Sequence, residues 1–89
     1  LELREEYLTT ALAEANRSLR LGDAPLALVQ FRTILELLPN SVEAVRGVVE
    51  SEFRTGRLTP ERIKEYRTLQ RGDDPTGLYA YQYGLALSY

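Results

Sequence analysis

One short apolar segment, bounded on both sides by helix-ending residues, most constrains what this chain can fold into: residues 20–41. Gly22 suits the end of one helix and Asp23 the cap of the next, since glycine adopts the left-handed conformation and a carboxylate accepts hydrogen bonds from free N–H groups. Pro39 ends the second helix, because its ring clashes with the preceding turn. Apolar residues lie around almost the whole circumference of the predicted helix over 24–38. Such a helix must be covered by more than one neighbour.

Helices are also predicted on either side of this segment. Leucine and alanine at helical spacing predict a first helix over 2–21. We expect Asn40 to cap a third helix, with Glu43 three residues later completing a capping box. Gly56 is predicted to end this third helix. The first and third helices are then expected to pack on either side of the apolar second helix.

The last third of the chain predicts two further helices. Thr59 followed by proline begins a fourth helix that extends to about residue 71, and residues 72–75 form a turn. Residues 77–89 are ambiguous, because their tyrosines alternate as in a strand while other apolar residues fit one helix face. We favour the helix, because an isolated strand has nothing to pair with. The sequence therefore predicts an all-α fold of five helices.

A repeat of about 34 residues organises these helices. The turn at 21–23 recurs at 55–57, and a small residue lies near the middle of the first, third and fifth helices (Ala15, Val49, Gly84). Each unit is a pair of antiparallel helices joined by a short turn. This pattern resembles the tetratricopeptide repeat (TPR) family. The residues that carry the resemblance are Ala15, Gly22, Asp23, Ala27, Phe31, Ile34, Pro39 and Asn40.

The resemblance implies one TPR-like domain, a right-handed superhelix of antiparallel helix pairs with about two and a half repeats. Repeat 1 covers about 8–41, repeat 2 about 42–76, and a half repeat 77–89. The second repeat departs from the family pattern at Glu61 and Arg62, where a small apolar residue is usual. Pentatricopeptide repeats, which bind RNA, have a similar period, but the acidic balance and the prolines at the unit boundary disfavour that alternative.

Composition excludes several classes of function. The net charge of −2 argues against nucleic acid as the main partner. Without cysteine or histidine, the commonest catalytic bases, thiol nucleophiles and soft metal ligands are missing. We therefore expect no enzyme activity, no cofactor and no metal, and we assign the Asp73–Asp74 pair to a turn. No apolar run is long enough to predict membrane insertion.

The compartment is not indicated, since a cysteine-free chain is compatible with both cytoplasm and periplasm. The chain begins at Leu1 without a methionine, which favours a piece of a longer protein.

The resemblance also implies a groove, lined by the first helix of each pair, that binds a protein or peptide. Some family members hold the carboxylate end of chaperone tails in a clamp of basic and asparagine side chains. Asn16 stands at a clamp position, but Leu12, Gly47, Leu78 and Gln82 replace the other clamp residues, so this clamp is not predicted. The groove residues carried over by register are Asn16, Leu19, Arg20, Arg46, Glu50, Phe53, Arg54, Tyr81, Gln82 and Leu85.

Glu52 is the one carboxylate on the apolar face of the third helix. Burying an unpaired carboxylate is costly, so we expect it to reach an arginine such as Arg32 or Arg67, or to turn toward solvent. The functional alternative is a polar contact with a bound peptide.

Residues 77–89 lack the polar outer side that a terminal repeat helix needs. Either a following helix of a longer chain covers this side, or a second copy of the protein does. For the 89 residues alone we predict self-association, most simply as a two-fold homodimer. Two further functions stay open beside peptide binding. One is a self-associating scaffold of a larger assembly, such as secretion or envelope machinery; the other, expected if the chain is a piece of a longer protein, is a helical domain appended to an enzyme. The residues predicted to mediate self-association are Leu78, Tyr81, Leu85 and Tyr89.

Overall fold

The structure is a computed structural model that describes residues 2–72, 74 and 76–89, with side chains from residue 6 onward. This part of the chain contains five helices and no strand, so the predicted all-α class is confirmed, including the helix in the ambiguous last segment. The helices are α1 (Glu2–Arg20), α2 (Ala24–Leu37), α3 (Val42–Arg54), α4 (Pro60–Arg71) and α5 (Leu78–Ser88).

Two of the predicted helix starts form as expected. The Asp23 carboxylate accepts a hydrogen bond from the Leu26 N–H at 3.3 Å, and Gly22 before it has a φ of 85°. At the start of α4, the Thr59 hydroxyl accepts from the Arg62 N–H at 3.2 Å. Each side chain satisfies one of the N–H groups that a helix leaves free at its first turn.

The predicted cap of α3 is wrong by one residue. Ser41, not Asn40, caps this helix, and its hydroxyl accepts from the Ala44 N–H at 3.2 Å. Pro39 and Asn40 form the turn that precedes it. Ser41 then has the extended backbone that an N-cap requires, with φ −73° and ψ 108°.

The start of α5 is capped from a distance. The Asp74 carboxylate accepts hydrogen bonds from the N–H groups of Tyr79 and Ala80, at 3.1 and 3.0 Å. Gly77 lies between them with a φ of 73°, a left-handed conformation that favours glycine. Asp73 and Pro75, which the sequence assigns to the same turn, lie outside the described residues.

Three helices, α1, α2 and α3, surround the first core cluster. Ala15 on α1 and Ala27 on α2 are both fully buried, as the repeat predicts for two closely packed helices. Phe31 is buried between α2 and α3, where its ring lies against the backbone of Gly47. A Cβ atom at position 47 would be 2.5 Å from three ring carbons of Phe31. The absence of a side chain at this position therefore sets how closely α2 and α3 approach.

The second helix pair is built differently. Over the described residues, no Cα atom of α3 comes within 8 Å of a Cα atom of α4, although α4 packs closely on α5 and α5 on α3. A smaller core cluster of Val49, Tyr66 and Ala86 joins these three helices. The sequence departure at Glu61 and Arg62 thus coincides with two helices that meet through long side chains instead of close backbones.

Candidate functional site

A trough of about 310 Å³ lies between α1 and α3. Solvent-facing side chains of the two helices lie next to each other there. Four predicted groove residues lie together in this trough. Their spacing along the sequence does not show by itself that residues of two separate helices are neighbours. The residues that line the trough are Asn16, Leu19, Glu43, Arg46, Gly47 and Glu50.

Arg54 contacts two of the residues that line this trough. Its guanidinium forms an ion pair with Glu50 one turn earlier, at 3.1 Å between Nη2 and Oε2. The same guanidinium donates through Nη1 to the backbone carbonyl of Leu19, at 2.9 Å. Arg54 therefore ties α3 to the last turn of α1, where the carbonyl groups carry the negative end of the helix dipole.

An aromatic pair continues the surface from α3 to α5. The rings of Phe53 and Tyr89 are stacked, with centroids 4.8 Å apart and an interplanar angle of 26°. The Tyr89 hydroxyl donates to Glu50 at 3.2 Å. Partial burial, then the charge of Glu50 and this hydrogen bond, raise the pKa of Tyr89 above its usual value. Nearly half of each side chain remains exposed, so the pair offers apolar area to a ligand.

Three polar groups of the trough have no partner of their own. Within the part of the chain that the structure describes, the Asn16 amide, the Glu43 carboxylate and the Arg46 guanidinium form no hydrogen bond or ion pair. Glu50 and Arg54, by contrast, are engaged with each other and with neighbouring groups. The trough therefore contains two unpaired donor groups and one unpaired carboxylate, beside the ion pair of Glu50 and Arg54.

The remaining predicted groove residues lie apart from the trough. Arg20 is exposed at the end of α1, and Tyr81 is exposed on α5. Gln82 is about nine-tenths buried, while Leu85 is partly buried against the second core cluster. None of these four lines the trough described above.

Glu52 lies at the centre of a buried polar cluster that joins α3 to α4. Its carboxylate accepts from Arg62 Nε at 2.8 Å and from the Tyr66 hydroxyl, and it pairs with Arg32 at 3.5 Å. The expected contact with Arg32 is confirmed. Arg67 is not a partner in the described structure, and Arg62 and Tyr66 were missed.

Tyr66 completes this cluster. Arg62 Nη2 donates to its hydroxyl at 3.3 Å, and the guanidinium lies 4.4 Å from its ring centroid. Burial, then the hydrogen bond to Glu52 and the charge of that carboxylate, raise the pKa of the phenol above its usual value. With its hydrogen bonds satisfied inside the chain, the cluster acts as a structural joint and does not present Glu52 to a peptide.

Two signals in the sequence bear on what was missed. Arg62 departs from the repeat pattern, and a basic side chain there can pair with a buried carboxylate on α3. The sequence predicts Tyr89 only in self-association, whereas in the structure Tyr89 stacks on Phe53 of α3. Neither contact follows from helix spacing alone.

In comparisons with known proteins, no protein-family model, no curated protein and no solved structure matches this chain. Among the described residues, no group of three Asp, Glu, His or Cys side chains is placed to hold a metal ion. None of the helices in this part of the chain has the length and apolar character needed to cross a membrane.

Proposed function

We propose that this chain is a TPR-like protein-interaction module that holds a peptide or an extended segment of a partner protein in the trough between α1 and α3. The observation that carries the proposal is the trough itself. It has a volume of about 310 Å³, contains unpaired polar donors and lies next to the half-exposed rings of Phe53 and Tyr89. Sites that bind ligands combine apolar contact area with a few polar groups that fix orientation.

The order of helix contacts supports the repeat architecture. The odd-numbered helices lie in a row, since α3 packs on α1 and α5 packs on α3, while α2 lies against both α1 and α3. In a helical repeat each unit contacts only its neighbours and the first helices of successive units form one continuous surface. We infer from this that α1, α3 and α5 are the first helices of three units in a superhelix.

The free groups of the trough indicate the chemistry of the ligand. Arg46 can bind a carboxylate through two parallel hydrogen bonds, and the Asn16 amide can bind a peptide backbone group. The Phe53–Tyr89 pair suits an apolar or aromatic side chain. The ligand we propose is a peptide with an acidic residue followed or preceded by an apolar one, spaced to reach from Arg46 to the aromatic pair.

Selection from a random peptide display library, followed by titration calorimetry of the selected peptides, tests this function. We expect acidic and apolar residues to be enriched together among the peptides. Arg46→Glu should weaken binding about tenfold or more, equivalent to about 1.4 kcal/mol. Arg67→Glu makes the same charge change on the exposed surface of α4 and should leave binding within about twofold.

The proposal is wrong if the library yields no binding peptide, or if the two arginine variants weaken binding equally. Circular dichroism of both variants checks that each keeps the helix content of the parent chain. Because Arg46 and Arg67 are both on helix surfaces, neither change removes a core contact.

A further inference from the structure

Three equivalent positions recur in α1, α3 and α5 at intervals of 34 and 35 residues. In α1 and α3 the later helix of each pair covers them. The Ser18 hydroxyl of α1 donates a hydrogen bond to the side-chain oxygen of Gln30 of α2 at 2.8 Å, and Glu52 of α3 accepts one from Arg62 of α4. The positions are Ala11, Ala15 and Ser18 in α1, Val45, Val49 and Glu52 in α3, and Ala80, Gly84 and Leu87 in α5.

In α5 the same positions are open. Leu87 is 59% exposed, and a Cβ atom added at Gly84 would lie more than 4 Å from every described atom other than those of its chain neighbours and its own helix backbone. Ala80 is also exposed. We call this surface of Ala80, Gly84 and Leu87 the α5 face. Only α3 and α4 pack on α5 among the described helices, and they lie on its other sides, so no described helix covers the α5 face.

We propose that a second copy of this chain covers the α5 face, through two-fold antiparallel packing of α5 against α5. The order of residue sizes along the face is self-complementary. With Gly84 at the axis, the large Leu87 of each copy lies over the small Ala80 of the other. Small residues at the crossing point let two helix backbones come close together.

The charge of this segment favours a second copy. An isologous contact places the same patch on both sides of the axis, so a charged side chain near the axis lies close to the same charge on the other copy. Residues 76–89 contain no Asp, Glu, Lys or Arg, and two copies therefore meet without such repulsion. The most exposed large side chain of the segment, Leu87, lies within the α5 face.

The α5 face lies on a different side of α5 from most of the residues that the sequence predicts for self-association. Leu78 and Leu85 are partly buried by the chain itself, and Tyr89 is stacked on Phe53. Tyr81 is exposed and flanks the α5 face. The contact therefore centres on Gly84, with Tyr81 at its rim.

The size of the α5 face sets the strength of the dimer. A helix of 11 residues spans about 16 Å, which is short for an interface of about 800 Å² on each partner. The expected dissociation constant is on the order of 100 µM.

Sedimentation equilibrium over a range of about 10 µM to 1 mM tests association. The parent chain should change from monomer to dimer across this range, and Leu87→Glu should remain a monomer. Val29→Glu is the matched control, because Val29 is 61% exposed on α2, away from the α5 face, and should dimerise as the parent does. A parent chain that stays monomeric at about 1 mM overturns the proposal, as does equal loss of the dimer in both variants.

Disulfide trapping tests the register. The chain has no cysteine, so one introduced thiol reports a single contact. Gly84→Cys should form a disulfide dimer rapidly under mild oxidation, because the axis brings both sulfur atoms together. Ser88→Cys, one turn further from the axis, should form it much more slowly. Equal or reversed rates overturn the antiparallel packing around Gly84.

Discussion

Replacing Gly47 by alanine is the most direct test of how α2 and α3 pack. The change adds one methyl group at a point where it would lie 2.5 Å from three carbons of the Phe31 ring. Phe31 is fully buried and belongs to the first core cluster, so its ring cannot move away without displacing other core side chains.

Two opposing effects decide the magnitude. Alanine is favoured over glycine inside a helix by about 0.5–1 kcal/mol. Overpacking of a well-packed core costs about 1–3 kcal/mol. The steric cost is the larger, and Gly47→Ala should therefore destabilise the chain by about 0.5–2 kcal/mol. For a domain of this size, 1 kcal/mol corresponds to about 4–8 °C in Tm.

The chain offers a matched control on α5. Gly84 is also inside a helix, but a Cβ atom there would have nothing within 4 Å apart from its chain neighbours and its own helix backbone. Gly84→Ala should consequently stabilise the chain by about 0.5–1 kcal/mol. Urea unfolding followed by circular dichroism measures both variants, at low micromolar concentration so that association does not contribute. Because the propensity gain is common to both, their difference gives the steric cost alone.

The reasoning fails if Gly47→Ala stabilises the chain as much as Gly84→Ala does. A second measurement locates the cause. In a Phe31→Leu background, where the ring is gone, Gly47→Ala should lose most of its cost, and the coupling between the two changes should be about 1 kcal/mol or more. Additive effects would show that the clash lies elsewhere than at the ring.

Three other substitutions test the remaining contacts by urea unfolding. Ala27→Leu should cost about 1–3 kcal/mol, because the fully buried Ala27 leaves no room for a larger side chain; an unchanged Tm would contradict the α1–α2 packing. Glu52→Ala should cost about 3 kcal/mol, since it leaves the groups around Tyr66 without their buried acceptor, whereas Glu50→Ala on the more exposed trough should cost less than about 1 kcal/mol. The raised pKa of Tyr66 predicts that the unfolded chain releases this proton first, near pH 10. The stability it contributes is present below about pH 10 and falls as pH rises further. Tyr66→Phe should therefore lose less stability between about pH 9 and pH 11 than the parent chain, and an equal loss would contradict the raised pKa.

Local signals in the sequence predicted the helices well. The glycine at 22, the carboxylate at 23 and the Thr–Pro pair at 59–60 each act within a few residues, so their effect does not depend on the rest of the fold. The missed cap of α3 shows the limit of such signals. Asn40 and Ser41 are both good caps, and only the geometry of the preceding turn decides between them.

The contacts between helices were less predictable. A partner for Glu52 could be expected from the cost of burying its charge, and Arg32 was among those named. Whether Arg62 or Arg67 also reached it depended on the rotation of α4, which the unusual residues at the start of that helix leave undefined. Likewise, composition indicated an exposed apolar α5, but only the packing of α5 on α3 and α4 shows which of its sides is open.

The division of the core into two clusters gives the chain two units of local unfolding. Proteins open in contiguous units whose free energies depend on the contacts that hold each unit. Tyr66 is the only buried residue of α4, whereas α2 has five. Local unfolding that exposes the amide hydrogens of α4 and α5 should therefore need less free energy than local unfolding of α2, so these amide hydrogens should exchange with solvent faster. Self-association through α5 would stabilise this weaker unit, so that exchange in α4 slows as protein concentration rises while exchange in α2 changes little.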